Sequence, residues 1–486
     1  MLVILGFSMV TAFLWLIMTK RITPVAALIL VPTVFGLLAG AGLGLSDMIL
    51  EALLKLAPTA ALLFFAITFF GIMIDVGLFD PLIRLILRVV KDDPQRLVVG
   101  TALLTSVVSL DGDGSTTFII VTSALLPIYL KLKMNPVILT VVTATANGVL
   151  NTVPWGGSTA RAAAALNVSP IDIFVPMIPS IVAGLLTVVL LAYFLGRSER
   201  KRLRRLVLDG RAMEQPDTAE AAALTVKSEQ LATITSMTGT GLGSVPGEAS
   251  SPADGVRGGL EDESGFADRD EEAGHHLHRP KARPKLVWIN FALTAAVMVL
   301  LVLGTLEPPV TLMLGVALAL VINFPRVAEQ AEQLKSHASS VVSVVAMVFA
   351  ASVLTGVLNG TGMVEAMAAW IVGVIPPSFG PHLAIVAGVL SLPLTFLMSN
   401  DAFFFGVLPV LTKAAAHFDI SSVEMARAAV TGQPLHTSSP LVASFLLLVG
   451  LAKVELGEHQ RKTIWRACAV GLVMLIVGAL TAAYPF

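Results

Sequence analysis

SLDGDGSTTF, residues Ser109 to Phe118, sets two aspartates among glycines and hydroxyl side chains in the middle of a long apolar region. Where such a region crosses a bilayer, each ionised carboxylate costs at least ~2.5–3.5 kcal/mol, so Asp111 and Asp113 have to be hydrated, paired, protonated or bound to metal. The glycines break the helical pattern, and broken backbone survives at membrane depth only inside protein or beside a wet cavity. The stretch therefore predicts the tip of a re-entrant helical hairpin in an all-α membrane protein.

The rest of the chain agrees. Of 486 residues, 55% are hydrophobic and 13% charged, against ~45–50% and ~25% in soluble domains. Apolar runs near the ~20 residues that span a hydrocarbon core recur along most of the length, for about 11–12 membrane segments, which excludes a soluble enzyme. The net charge of −1 offers no field for nucleic acid. The first run, Met1 to Met18, has no basic region ahead of it and no small-residue cleavage site behind it, and reads as a retained span. The single cysteine, Cys468, falls in the last apolar run and reads as a buried thiol.

The apolar pattern stops near Leu206 and resumes near Leu286. The chain thus divides into a first membrane repeat (1–206), a polar linker (207–284) and a second membrane repeat (285–486). The linker contains EDESGFADRDEE, Glu261 to Glu272, lacks the apolar surface to offset ordering entropy, and reads as disordered and cytoplasmic. Its GTGLGSVPG has no strand before it or helix after it, and does not read as a phosphate loop. His275, His276 and His278 read as solvated tether, not as metal ligands.

Spans are expected at residues 2–18, 24–41, 59–79 and 171–195, with an amphipathic stretch at 81–90. The second repeat follows the same order at 286–303, 310–324 and 339–358, then an amphipathic stretch near 365–374 and a final span from Trp465. Basic residues stay cytoplasmic: Lys20, Arg21, Arg84, Arg88, Lys91, Arg96 and the run from Arg197 to Arg205 mark the inside. The second connector, 359–381, has no Lys or Arg, whereas Lys453, Arg461, Lys462 and Arg466 gather before the final span. Equivalent elements on opposite sides predict two inverted-topology repeats, which carriers use for alternating access about a midplane site. A gapless shift of 285 residues also pairs Phe118 with Phe403, Ala144 with Ala429, Leu150 with Leu435 and Thr152 with Thr437.

Each repeat breaks twice. The first breaks are SLDGDGSTTF and MSNDAF (Met398 to Phe403), read as hairpin tips; the second are NTVPWGGSTAR (Asn151 to Arg161) and GQPLHTSSP (Gly432 to Pro440), read as discontinuous helices. New helix N-termini can face an anion while released carbonyls face a cation. Arg161 would then aim a guanidinium at a carboxylate in the cavity; the alternatives are pairing with a structural carboxylate or reaching the surface. Asp111, Asp113 and Asp401 suit proton or cation coupling, or else anchor the hairpin tips. His436 suits proton transfer or a neutral role between helix ends. Asp75, near the cytoplasmic end of its span, reads as a structural anchor.

LIMTKR, FGIMIDVGLFDPL, SLDGDGSTTF and TVPWGGSTARAAAAL, in that order, resemble the CitMHS family of citrate–divalent metal:proton symporters in the ion transporter superfamily; SNDAFFFGVLP and QPLHTSSPLV carry the likeness in the second repeat. The resemblance implies a multi-pass protein of the bacterial inner membrane, homodimeric and not an enzyme. It implies proton-driven uptake of citrate complexed with a divalent cation of the magnesium or calcium type, the metal travelling with the substrate and no cofactor being bound. In that reading Asn151, Thr152, Gly157, Ser158, Thr159, Arg161, Asn400, Thr437 and Ser438 surround the substrate. Asp111, Asp113, Asp401 and His436 serve coupling, and Asp113 and Asp401 can touch the metal. The nearest rival is a proton- or sodium-coupled carrier of gluconate or a dicarboxylate, without metal. A membrane-embedded hydrolase lacks support, since neither HExxH nor GxSxG occurs.

Overall fold

Helix starts follow local chemistry. Thr23, Asp93 and Asn135 each precede a proline and accept a hydrogen bond from the amide of Ala26, Gln95 and Val137, at 3.3, 2.9 and 2.8 Å. A side-chain cap followed by proline in the first turn satisfies one orphan amide and removes another, so Pro24, Pro94 and Pro136 open helices.

The structure, a computed structural model, describes residues 1–208 and 282–486, except Lys20, Lys91, Asp92, Asp113, Ile375 and Pro377. Asp113, Lys20, Lys91 and linker residues 209–281, with the glycine stretch and the three histidines, lie outside the described residues, as does the side chain of Asp111. All described residues belong to one compact unit, Met1–Ala212 with Lys281–Phe486.

The first part of the chain forms α1 (Leu2–Met18), α2 (Pro24–Leu38), α3 (Gly44–Asp75), α4 (Asp80–Val90), α5 (Pro94–Val108), α6 (Gly114–Lys131), α7 (Pro136–Leu150), α8 (Gly157–Leu166) and α9 (Pro170–Leu208). The second forms α10 (Val287–Leu303), α11 (Pro308–Asn323), α12 (Val327–Ser336), α13 (Ala338–Gly360), α14 (Met363–Val374) and α15 (Leu383–Leu397). A π-helical turn, Ala402–Val407, then leads into α16 (Leu408–Ala415), α17 (Ser422–Ala429), α18 (Gln433–His436), α19 (Ala443–Leu451) and α20 (Leu456–Leu480). Among the described residues there is no strand, and seven helices are long and apolar enough to cross a membrane. The protein is all-α and polytopic.

Two expected boundaries move for one reason. α3 begins at Gly44 and not near residue 59, because Glu51 and Lys55, which interrupt the apolar pattern, pair at 2.6 Å one turn apart on an exposed face. Glu458 and Lys462 do the same at 2.9 Å and carry α20 back to Leu456. α12 was not expected; it is polar, and its buried Gln333 donates to Asp75, which also faces His337 Nε2 at 3.1 Å. Asp75 thus ties the end of α3 to the start of α13.

α3 lies along α13, with α2 packed on α13 and α11 on α3. Gly356 makes this approach possible, since a Cβ there would sit 2.6 Å from Met48 O; small residues take such positions where helices meet in lipid. α7 is the innermost helix, buried at every residue from Val137 to Leu150 and packed by α5, α6, α9, α18 and α20. Outer faces of α2, α10 and α11 expose Leu30, Val34, Phe291, Val299, Leu314 and Leu318, as a lipid-facing surface requires.

Candidate functional site

The first hairpin tip is built on a left-handed glycine. α5 runs into a 3-10 turn, Ser109–Asp111, and Gly112 follows at φ 78, a conformation that glycine adopts without steric cost. Trp155, from the second break, donates Nε1–H to Leu110 O at 2.8 Å and stacks on Phe70 of α3 at 4.2 Å. Its edge leaves a Cβ on Gly112 only 3.0 Å of room. One indole therefore joins the hairpin tip, the broken helix and α3.

The second break folds back on itself. Asn151 Oδ1 accepts from the amide of Gly157 at 3.0 Å, Ser158 Oγ donates to Asn151 O at 2.7 Å, and Thr159 Oγ1 donates to Thr152 O at 2.9 Å. Carbonyls released at the end of α7 are thus satisfied by hydroxyls at the start of α8, and those hydroxyls are engaged by backbone. What α8 offers an anion is the amides of Ser158 and Thr159, which have no acceptor within the helix. Thr152 Oγ1 turns back to Val149 O at 2.6 Å.

Arg161 reaches from α8 to the second half of the chain. Its Nε donates to Asp401 Oδ1 at 2.5 Å and its Nη1 to Gly157 O at 2.8 Å. The guanidinium lies over Gly157, where a Cβ would meet Nη1 at 2.9 Å. The side chains are 27% and 10% exposed, so the pair is part-buried and leaves part of the guanidinium accessible. Among the described residues no three His, Cys, Asp or Glu side chains gather as a metal cage.

Gln433, which the sequence reading did not single out, is the hub. Fully buried, it accepts on Oε1 from Asn151 Nδ2 at 2.9 Å and from Asn400 Nδ2 at 3.1 Å, and donates Nε2–H to Asn400 Oδ1 at 3.1 Å. Gln433 thereby joins Asn151 to Asn400, while Arg161 and Asp401 connect to Asn151 through Gly157, in one network spanning three of the four breaks. The only signal for Gln433 was its place in a break already recognised; a neutral amide carries no charge to mark it. Replacing Gln433 by leucine strands buried amide groups at about 1–3 kcal/mol each. Uptake by Gln433→Leu is expected to fall at least tenfold, with a lower melting temperature in detergent; wild-type uptake and melting would dismiss the hub.

Three further candidates are buried in the protein. His436 is buried with Nδ1 at 2.6 Å from Thr395 O; since a carbonyl only accepts, Nδ1 carries the proton and Nε2 is the second, distinct position. Thr437 Oγ1 donates to Ala144 O at 2.9 Å, fastening α18 to α7. Ser438 is fully buried, and its Oγ has no hydrogen-bond partner among the described residues.

Such an arrangement suits a charged solute held between two broken helices: amide donors, an ion pair and neutral amides, all within protein. The citrate transporter family profile matches residues 7–432. This chain belongs to the CitMHS family. It is similar to the "Citrate transporter" of Bacillus subtilis (strain 168), 42% identical over 486 residues and covering 100% of both chains. A second relative from that organism, the "Mg(2+)/citrate complex secondary transporter", is 41% identical over 486 residues, with 99% of each chain covered. As a CitMHS member the chain is a multi-pass membrane transporter and not an enzyme.

Proposed function

We propose that this carrier takes up citrate as a complex with a divalent cation, coupled to protons, through two inverted repeats that expose the site to each side in turn. The observation that carries the substrate assignment is the Arg161–Asp401 pair at 2.5 Å, set between the breaks. Citrate has three negative charges when fully ionised; a divalent metal reduces the complex to one, which lowers the cost of desolvation. The complex still presents carboxylates and a cation side by side, and the pair offers each its counterpart. Substrate carboxylates compete for Arg161 and the amides of Ser158 and Thr159, while released Asp401 turns to the metal. Asn151 and Asn400 fill remaining polar positions, and Asp111, Asp113 and His436 serve proton coupling. The relative named for a magnesium–citrate complex supports metal on the substrate.

Labelled citrate uptake into proteoliposomes under an imposed proton gradient, with no divalent ion, with magnesium and with calcium, tests this. Uptake should rise at least tenfold with the accepted metal and collapse with the gradient. Equal uptake without metal would favour a carrier of free carboxylates on the same fold.

A further inference from the structure

Away from the four breaks, a cavity of about 680 Å³ opens between the start of α9, the end of α10 and α17. Asp172 on its rim and Arg197, the first of the basic run, stand 25 residues apart on α9, ~38 Å of helix rise. That exceeds the ~30 Å hydrocarbon core, so the cavity lies at the membrane surface opposite the basic run.

Its walls divide by chemistry. Val175 and Pro176 of α9 and Leu301 of α10 form an apolar side, and Asp172, Glu424 and Arg427 form a polar end. From Val175 an apolar stripe continues along α9 through Val182, Leu186 and Leu190, at spacings that keep to one helix face; all three are exposed. On α10, Val299 and Leu303 beside the cavity are exposed too. The cavity is the head of a groove that runs into the lipid-facing surface.

The polar end carries both signs. Arg427 donates Nε–H and Nη2–H to Asp172 O, at 3.0 and 2.8 Å, and Nη1–H to Ala483 O at 2.9 Å. Neutral carbonyls leave the guanidinium its full charge and two of its five N–H groups. Glu424 Oε2 accepts from Ser421 N and Oγ, both at 2.7 Å, and the Asp172 carboxylate accepts no hydrogen bond from any described residue. A phosphate suits Arg427. A primary ammonium brings three donors to the two carboxylates, whereas a trimethylated one brings none. A purely anionic headgroup would set its charge against both carboxylates, and a soluble anion would leave the apolar stripe unused.

We propose that the cavity seats a phospholipid with a primary-ammonium headgroup, of the phosphatidylethanolamine class. Its phosphate meets Arg427, its ammonium meets Asp172 and Glu424, and one acyl chain follows Val175, Val182 and Leu186. The lipid fills the opening between α10 and the pair α9 and α17. This site is independent of the substrate and coupling reading above.

Native mass spectrometry of the delipidated full chain in detergent, given equal amounts of phosphatidylethanolamine, phosphatidylcholine and phosphatidylglycerol, reads which lipid is retained. Wild-type protein should hold the ethanolamine lipid at least fivefold over each of the others. Asp172→Asn with Glu424→Gln should bring it within twofold of the choline lipid, and Val175→Trp, which fills the cavity, should lower retention of both. Asp172→Asn alone changes an exposed side chain, keeps the fold, and should at least halve the preference. Equal retention of the three lipids by wild type, or an unchanged preference in the carboxylate variants, overturns the proposal. Displacement of the lipid by magnesium with citrate would make the cavity a peripheral substrate site and overturns it as well.

Discussion

Replacing Arg161 by alanine is expected to abolish citrate uptake, by at least a hundredfold, and to lower thermal stability as well. Among the described residues the guanidinium bonds Asp401 at 2.5 Å and a helix carbonyl, Gly157 O, at 2.8 Å. Breaking a buried pair by removing one side costs about 3–5 kcal/mol because the other charge is left alone. The partial exposure of Arg161, 27%, lowers that to about 2–3 kcal/mol. The transport loss has a second origin, since the same guanidinium is the proposed partner of a substrate carboxylate. A double substitution separates the two. Arg161→Gln with Asp401→Asn leaves no lone charge, so its melting temperature should return towards wild type while uptake remains absent. Uptake near wild type in that doubly neutral protein would remove the pair from the mechanism and leave it a structural bridge.

Valine at Gly148 is expected to be nearly as damaging without touching any charge. A Cβ at this position of α7 would lie 2.6 Å from Pro434 Cα and from Thr437 Oγ1, and 2.7 Å from Gln433 O. Backbone atoms cannot swing aside as a flexible side chain does, so α18 must move off α7. Overpacking of this kind costs about 1–3 kcal/mol. The displacement also pulls on Thr437–Ala144 at 2.9 Å and on the Asn151–Gln433 bond at 2.9 Å. Gly148→Val should lose uptake at least a hundredfold, and Gly148→Ala should fall between it and wild type. Gly450→Ala supplies the control, because an added Cβ there meets nothing within 4 Å. Normal uptake by correctly inserted Gly148→Val protein would show that the two broken helices need not touch.

Local chemistry explains what could be read early. The four breaks were visible because glycine, proline, hydroxyl and carboxylate residues cannot hide in an apolar pattern. Spans were visible through length and hydropathy, and they failed where charge entered a helix. Glu51 with Lys55, and Glu458 with Lys462, look like helix ends in one dimension and become paired surface residues in three. The candidates Ser158, Thr159 and Thr437 stand in the right breaks, yet their hydroxyls bond the protein's own carbonyls. That choice depends on which backbone groups the break releases, and no residue type records it.

From the sequence alone come the solvent of the chain, its helical class, the positions where its backbone opens and the family it resembles, because each depends on residue type and spacing along a few turns. Tertiary structure decided which breaks meet. Asn151 and Gln433 are 282 residues apart, and Arg161 and Asp401 are 240. Neutral amides pair with many partners at similar energy, so only the packing of α7 against α18 selects Gln433 from the available groups. For the ion pair, sequence supplied both charges, and the fold alone placed them 2.5 Å apart.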